Sequence, residues 1–227
     1  SHHIHFEQFL QLTPFTILVA LLLLSYYYAI NHGQISLTGT VVGTYPAFTV
    51  LLSFMFLHEA PSLFQKLAII AIILGTVLVA FPNKVQKAKL NHWIWWAILA
   101  LLTIGTSDFV IKVLLLKYDI YTYLFTYSFS SFLVTLALLL IDKKGRKIPK
   151  FNLKLYLPTL IGVTMLELGF FFLHLALRDG LVSLVSPISG IYVAITAVLA
   201  WIFLKEKINK IQAIGVVLAA IGVILVG

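Results

Sequence analysis

Residues 56–65 read FLHEAPSLFQ, and residues 203–212, which lie 147 positions later, read FLKEKINKIQ. In both stretches an apolar run ends in Glu, Gln follows six residues after that Glu, and the next apolar run contains Gly. Sliding the chain against itself by 147 positions aligns 29–80 with 176–227 without a gap. Polar residues that match at one fixed offset indicate an internal structural repeat. The matches that apolar composition does not explain are Gly33 with Gly180, Ser36 with Ser183, Gly43 with Gly190, Tyr45 with Tyr192, Thr49 with Thr196, Glu59 with Glu206, Gln65 with Gln212 and Gly75 with Gly222.

The composition of the 227 residues indicates that the solvent of this protein is lipid. Hydrophobic residues make up 61% and charged residues only 11%, whereas a soluble domain carries about 25% charged residues. A helix needs roughly 20 mostly apolar residues to cross the hydrocarbon core. The sequence therefore predicts an all-α, polytopic membrane bundle with eight spans, approximately 12–31, 36–57, 66–82, 92–115, 120–141, 155–177, 182–204 and 209–227.

The order of the predicted spans makes the repeat an inverted one. The second span corresponds to the seventh, and the five crossings that separate them are an odd number, so the two copies point in opposite directions across the membrane. Spans six to eight match spans one to three, whereas spans four and five have no earlier counterparts. We therefore expect a parent of ten helices in two five-helix halves: 1–82 is an incomplete first repeat, 83–91 is a linker loop, and 92–227 is a complete second repeat.

The duplicated pattern of Glu, Gln and Gly resembles that of the drug/metabolite transporter superfamily, specifically its EamA-type transporters. The segment Gly105-Thr106-Ser107-Asp108, followed by Lys112, is also similar to the opening helix of a half in that family. The resemblance covers nearly the whole chain, and the chain departs from the pattern in lacking the first pair of helices. It implies a secondary active transporter that moves a small metabolite or drug-like solute across the membrane by alternating access.

Ionisable side chains at membrane depth are costly and are therefore candidate substrate-binding residues. Glu167 lies about twelve residues from either adjoining loop, and we expect it to bind a cationic group or to take up a coupling proton. His174 lies two turns further along the same face. Asp108 and Lys112, at positions i and i+4, are further candidates, with mutual neutralisation inside their helix as the structural alternative.

Tyrosines supply hydroxyl groups to an apolar cavity, and Tyr27, Tyr45 and its repeat partner Tyr192 are the candidates of this kind. Two segments, Tyr45-Pro46 and Ser186-Pro187, place a proline inside an apolar run, where it frees a carbonyl and permits bending.

Other polar residues of the repeat have a structural interpretation. Ser62 with Gln65, and Asn209 with Gln212, have the spacing of a capping box. Glu59 and Glu206 are expected to face the positive ends of these same helices. Gly75 and Gly222 are expected to allow two helices to pack closely rather than to bind a ligand.

The sequence contains no nucleophile elbow, phosphate loop, zinc motif or cysteine pair, so we predict no enzyme activity, no cofactor and no metal site. The formal net charge of +8 is spread between apolar runs and does not indicate nucleic-acid binding. The expected partners are a small-molecule substrate and the lipid bilayer. A membrane scaffold or receptor without transport activity is the alternative function.

The charges of the loops predict the orientation of the chain in the membrane. The loops 83–91, 142–154 and 205–210 carry twelve Lys or Arg residues, against three on the other side. The positive-inside rule places the twelve in the cytoplasm and the C-terminus outside, whereas the family resemblance implies both termini inside. We expect an integral multi-pass protein in the plasma membrane of a prokaryote.

Overall fold

A computed structural model describes residues 6–32, 35–81, 93–141, 153–203, 205 and 208–226. These residues form α-helices and one π-helical segment, and the described part of the chain contains no strand. The helices are α1 (Phe6–Leu22), α2 (Leu24–His32), α3 (Ile35–Val42), α4 (Tyr45–Leu52), α5 (Leu63–Ala80), α6 (Trp93–Lys117), α7 (Ile120–Ile141), α8 (Leu153–Asp179), α9 (Val182–Gly190), α10 (Tyr192–Phe203) and α11 (Lys210–Val226), and the π-helical segment is Ser53–Leu57.

Helices fill all eight of the predicted spans, so the predicted fold class is confirmed. Six helical runs of the described residues are long and apolar enough to cross a membrane, and two further apolar helices are shorter. Backbone N–H and C=O groups in lipid must find partners within their own segment, and α-helices meet that requirement. The long runs are Phe6–His32, Leu63–Ala80, Trp93–Lys117, Ile120–Ile141, Tyr156–Asp179 and Val182–Phe203, and the shorter ones are Tyr45–Leu57 and Lys210–Val226.

Three of the predicted spans are broken helices: the first breaks at Leu23, and the breaks of the second and seventh occupy the same position of the repeat. Tyr45 begins α4 after the break that follows α3, and Tyr192 begins α10 after the break that follows α9. Pro46 lies in the first turn of α4, where a missing N–H costs nothing. Pro187 lies inside α9 and leaves a carbonyl of that helix without its usual partner. The predicted bend at Tyr45-Pro46 therefore coincides with a helix interruption, whereas Pro187 lies inside α9 and precedes the break at Ile191.

The contacts divide the chain into two compact units. Unit 1 contains Ser1–Leu21 and Val113–Asp179, and unit 2 contains Leu22–Lys112 and Gly180–Gly227. This division follows packing rather than sequence similarity, and the boundaries of the two repeats stay a prediction.

Unit 1 is held together by contacts of α1 and α8 with α7. Thr16 of α1 and Ser130 of α7 share a buried hydrogen bond of 2.7 Å between their hydroxyl oxygens. The ring of Phe9 packs on Phe125 and Phe129 one turn apart. In contrast, every residue of α8 from 157 to 172 is exposed.

Helices α5 and α11 form the tightest crossing of unit 2. A Cβ atom on Gly75 would lie 2.5 Å from the backbone nitrogen of Ala219, and one on Gly222 would lie 2.5 Å from Cγ1 of Ile72. The absence of a side chain therefore lets the two backbones touch, as predicted for both glycines. A Cβ on Gly215 would likewise meet the backbone oxygen of Gly75 at 2.7 Å.

This crossing also shows how the two copies of the repeat are related. Gly222 contacts Ala68 and Ile72 near the start of α5, whereas Gly215, earlier in α11, contacts Gly75 and Val79 further along α5. The two helices are therefore antiparallel. Gly75 and Gly222 are one repeat apart, and so are Ile72 and Ala219. The contact of Gly75 with Ala219 therefore has its counterpart in the contact of Gly222 with Ile72. The α5 and α11 copies of the repeat thus run in opposite directions, as the inverted repeat predicts.

The turns before α5 and α11 each contain a left-handed residue at the same position of the repeat. His58 and Lys205, one repeat apart, both have left-handed φ values, 51° and 55°. Ser62 and Gln65 form the predicted capping box, with N···O distances of 2.9 and 3.3 Å. Asn209 and Gln212 form the second one, with distances of 3.1 and 2.8 Å.

Candidate transport site

Helices α4, α6 and α9 of unit 2 meet around the side chain of Asp108. Only 6% of Asp108 is exposed, and its Oδ2 atom accepts a hydrogen bond of 2.6 Å from the hydroxyl of Ser186. A buried carboxyl is costly unless its oxygens are hydrogen-bonded or a cation compensates its charge. The only hydrogen bond that the described residues make to this carboxyl comes from a neutral hydroxyl.

The hydrogen bond of Asp108 is the first of a chain that runs along α9. The carbonyl of Ser186 accepts a bond of 2.7 Å from the hydroxyl of Ser189, one turn later. The hydroxyls of Ser189 and Tyr45 then lie 3.1 Å apart. Four polar side chains are thus connected across three helices, and we name Asp108, Ser186, Ser189 and Tyr45 the polar network.

Small residues bring the backbones of α4 and α6 together beside the polar network. A Cβ on Gly105 would lie 2.9 Å from the carbonyl oxygen of Tyr45. The hydroxyl of Thr49 donates to the carbonyl of Gly105 at 2.9 Å. Helix α9 approaches α4 equally closely, since a Cβ on Gly190 would be 3.1 Å from Cγ of Pro46. The polar network is therefore held in a close contact of three helices.

The structure contradicts the proposed neutralisation of Asp108 by Lys112. The ammonium group of Lys112 donates to the carbonyl of Gly180 at 2.9 Å, and the carboxylate of Asp108 is bonded to Ser186 instead. The i, i+4 spacing brings two residues to the same face of a helix, but tertiary partners on the neighbouring turn and helix compete for both side chains. Lys112 thus neighbours the start of α9 rather than the carboxylate.

Glu59 binds the first turn of α9. Its Oε1 atom accepts a hydrogen bond of 2.8 Å from the N–H of Val182, and its Oε2 atom accepts one of 2.9 Å from the N–H of Ser183. The first N–H groups of a helix have no partner inside the helix, so the carboxylate satisfies two of them. Glu59 faces a helix N-terminus, as predicted, but the helix is α9 and not the predicted α5. The N-terminus of α5 is capped by Ser62 instead. The repeat partner of Glu59, Glu206, lies outside the described residues.

The other two tyrosine candidates lie outside the polar network. Tyr27 of α2 is 63% exposed, and Tyr192 at the start of α10 is 54% exposed. The ring of Tyr27 contacts that of Tyr26 at a centroid distance of 6.0 Å. Of the three predicted tyrosines, Tyr45 is thus the one that the structure buries and connects to Asp108. A substrate role for Tyr27 and Tyr192 stays a prediction.

The remaining two candidates belong to unit 1 and differ in environment. His174 is only 4% exposed and is surrounded by the rings of Tyr123, Tyr127 and Phe170. Its Nδ1 atom is bonded to the carbonyl of Phe170, and its Nε2 atom has no partner among the described residues. Glu167 lies in the exposed part of α8, between residues 157 and 172. Glu167 and His174 therefore differ in environment, although they lie on the same face of α8.

The model of one known protein family matches most of the chain. The EamA-like transporter family matches residues 3–81 and 91–227. The chain belongs to this EamA-like transporter family. It is therefore an integral membrane protein, and the family consists of transporters of the drug/metabolite type rather than enzymes.

Two known proteins resemble this EamA-like transporter. The uncharacterized protein MJ1333.1 of Methanocaldococcus jannaschii is 40% identical over 72 residues, which are 32% of this chain and 53% of that protein. The match thus spans about half the length of this curated relative. A crystal structure of a protein that is 14% identical has a TM-score of 0.71 and covers 89% of this chain and 70% of that one. This likeness supports the fold alone.

The residues that the sequence did not identify as site residues are Ser186 and Ser189. Their signal was present, because two serines one turn apart flank Pro187 in a short apolar helix. Serine is nevertheless common in membrane helices, where it bonds its own backbone, so the pattern alone does not select these two.

Proposed function

We propose that this EamA-like transporter is a secondary active transporter that moves a small metabolite or drug-like solute by alternating access, and that its polar network receives the solute or a coupling proton. The observation that carries the proposal is the buried carboxyl of Asp108 between helices that are interrupted at matching positions of an inverted repeat. Broken helices and sites at the repeat interface are general features of secondary transporters.

The chemistry of Asp108 supports a cationic group or a proton as the species that it receives. Among the described residues one neutral hydroxyl donates to this carboxyl, which leaves most of the acceptor capacity of a carboxylate unused by them. A primary or secondary ammonium group would supply both positive charge and further donors, and a proton would remove the charge altogether. Either event changes the electrostatic energy of a group at membrane depth, which is the requirement for coupling.

We propose that the membrane of this protein is the plasma membrane of a prokaryote. The archaeal origin of the similar protein MJ1333.1 supports this location.

The proposal is tested in two steps on the purified full-length protein. Amino acids, nucleotide sugars and cationic drugs are first screened for thermal stabilisation, since a ligand that binds only the folded state raises the apparent stability. Stabilising compounds are then assayed for flux into proteoliposomes. We expect Asp108→Asn to reduce flux by at least about tenfold, because loss of one charge-assisted contact is worth roughly 1.5–3 kcal/mol.

Glu7→Gln is the matched control, because Glu7 is an exposed carboxyl at the start of α1 outside the polar network. It should leave flux unchanged. Normal flux in folded Asp108→Asn protein would exclude Asp108 from the site. Specific binding of a solute that is never transported would instead support the alternative function of a scaffold or receptor.

A further inference from the structure

We propose that the polar network selects a protonated amine with at least two N–H groups, and that Tyr45 is a specificity-determining residue that Ser189 keeps in the role of a hydrogen-bond acceptor. This inference rests on the proposed function and deepens it, because it names the class of solute that Asp108 receives. It excludes quaternary ammonium compounds, which carry the same charge but no N–H group. It also excludes solutes whose polar groups only accept hydrogen bonds.

The hydroxyl groups of the polar network use all of their hydrogens inside the network. A carbonyl oxygen only accepts, so the hydroxyl of Ser189 donates its hydrogen to the carbonyl of Ser186 at 2.7 Å. A serine hydroxyl has no second hydrogen, so the hydroxyl of Tyr45 is the donor in its 3.1 Å contact with Ser189. The hydroxyl of Ser186 donates to Asp108 at 2.6 Å. No hydroxyl hydrogen is therefore left for a solute.

Two oxygen atoms of the polar network keep free lone pairs. Among the described residues, the fully buried side-chain atoms without a partner belong to His174 and Ser183. Oδ1 of Asp108 is not among them, and the bond to Ser186 uses Oδ2, so Oδ1 contributes to the 6% of Asp108 that is exposed. The hydroxyl oxygen of Tyr45 also keeps a lone pair after it donates. With Asp108 ionised, the polar network thus offers acceptors only.

The two acceptors lie along the same face of α9. Asp108 bonds to Ser186, and Tyr45 bonds to Ser189, which follows three residues later. Residues three apart on a helix are neighbours, about 5–6 Å from one another. Two N–H···O bonds of about 2.9 Å that share one nitrogen span roughly 5 Å between their oxygens. One primary or secondary ammonium group therefore fits between the carboxylate and the tyrosine hydroxyl, where its bonds are charge-assisted.

Other classes of solute do not match these acceptors. A quaternary ammonium group presents methyl groups to both oxygens, so the carboxylate of Asp108 would lose water without gaining a hydrogen bond. A phosphate or carboxylate group would bring further acceptors and a like charge beside a buried carboxylate. A neutral hydroxyl would donate one hydrogen and leave the charge uncompensated. Among the compounds of the screen, the inference therefore selects those with a primary or secondary amine.

Ser189 determines the acceptor role of Tyr45. The oxygen of Ser189 receives the hydrogen of the tyrosine hydroxyl and thereby keeps that hydrogen away from the carboxylate. Without this oxygen the hydroxyl would have a free hydrogen, and an ionised carboxylate is the stronger acceptor for it. The tyrosine would then compete with the ammonium group for Asp108. Ser189 is therefore a positioning residue, whereas Tyr45 contacts the solute itself.

Four cations with the same apolar body test the inference. The probes are 2-phenylethylamine and its N-methyl, N,N-dimethyl and N,N,N-trimethyl derivatives, which carry a decreasing number of N–H groups. All four are charged near neutral pH, since aliphatic amines have a pKa of about 10. Isothermal titration calorimetry on the purified full-length protein measures their affinities. We expect the trimethyl compound to bind at least about tenfold more weakly than the primary amine, because it makes no charge-assisted hydrogen bond.

Tyr45→Phe removes one of the two acceptors, so it should lower the affinity for the primary amine about tenfold and leave that for the trimethyl compound unchanged. Ser189→Ala should also reduce the ratio of these two affinities, and Ser189→Thr, which keeps the hydroxyl, should preserve it. Tyr28→Phe is the matched control, because Tyr28 is 42% exposed and its ring packs on Trp96 outside the polar network. It should change neither affinity.

Equal affinities for the four cations would overturn the proposal, and so would a primary amine that does not bind the folded protein. An unchanged ratio of affinities in Tyr45→Phe protein, or an equal loss of both affinities, would exclude Tyr45 as the residue that determines specificity. These outcomes are distinct from those of the flux assay. Selective binding of the primary amine without flux would support this inference and refute transport, whereas flux of a solute without an amine would do the opposite.

Discussion

Single buried side chains determine what chemistry this EamA-like transporter offers inside the membrane. Asp108 is partnered by a neutral hydroxyl and so can respond to a cation or a proton. His174 is a different case, since its Nδ1 atom is bonded to the backbone of its own helix. Three aromatic rings surround it, and its Nε2 atom faces no donor or acceptor among the described residues. Burial of an unpartnered polar atom destabilises a fold.

His174→Phe tests whether this histidine has a functional role. Phenylalanine fills a similar volume among Tyr123, Tyr127 and Phe170 and removes the unpartnered nitrogen, so we expect the thermal midpoint to stay equal or to rise by a few degrees. The midpoint is measured in detergent and the flux in proteoliposomes. A stable variant with normal flux would show that His174 serves packing, and a stable variant without flux would establish it as a transport residue.

At the scale of elements, the fold depends on helices that approach without side chains between them. The crossing of α5 and α11 has no room for a Cβ atom at Gly75, Gly215 or Gly222. Gly39 of α3 differs, because an added Cβ would meet no atom within 4 Å. At Gly75, Gly215 and Gly222 an alanine would disturb the close approach of two backbones. At Gly39 it would change only the intrinsic cost of glycine in a helix.

Gly75→Ala should destabilise the protein by about 1–3 kcal/mol, since the new methyl group would overlap the backbone of Ala219 and force the two helices apart. Gly39→Ala is the matched control and should be neutral or slightly stabilising, because alanine favours the helix. Denaturation monitored by circular dichroism in detergent measures both. Equal stability of the two variants would show that the α5 and α11 crossing tolerates separation.

The predicted inverted repeat gives the molecule two similar faces, and its orientation in the membrane decides which face meets the cytoplasm. The loops with twelve positive charges include Lys210, and the side with three includes Lys66. Both side chains are exposed. The positive-inside rule places Lys210 in the cytoplasm and Lys66 outside.

Labelling of Lys66→Cys and Lys210→Cys in intact cells and in inverted membrane vesicles determines the orientation. We expect an impermeant maleimide to react with the Lys66→Cys variant in cells and with the Lys210→Cys variant in vesicles. The reverse pattern would follow the orientation implied by the family resemblance instead. Labelling of both variants from one side would contradict the inverted repeat itself.

The sequence by itself determined the fold class, the helical spans and the inverted repeat, because lipid leaves a chain few ways to satisfy its backbone and because polar matches at one offset are read directly along the chain. It also predicted both capping boxes, since their partners lie three residues apart. Only the tertiary structure decided the partners of Asp108, Lys112 and Glu59. Those partners lie 78, 68 and 123 residues away, and a contact over such a separation depends on how helices pack, which no local pattern of residues records.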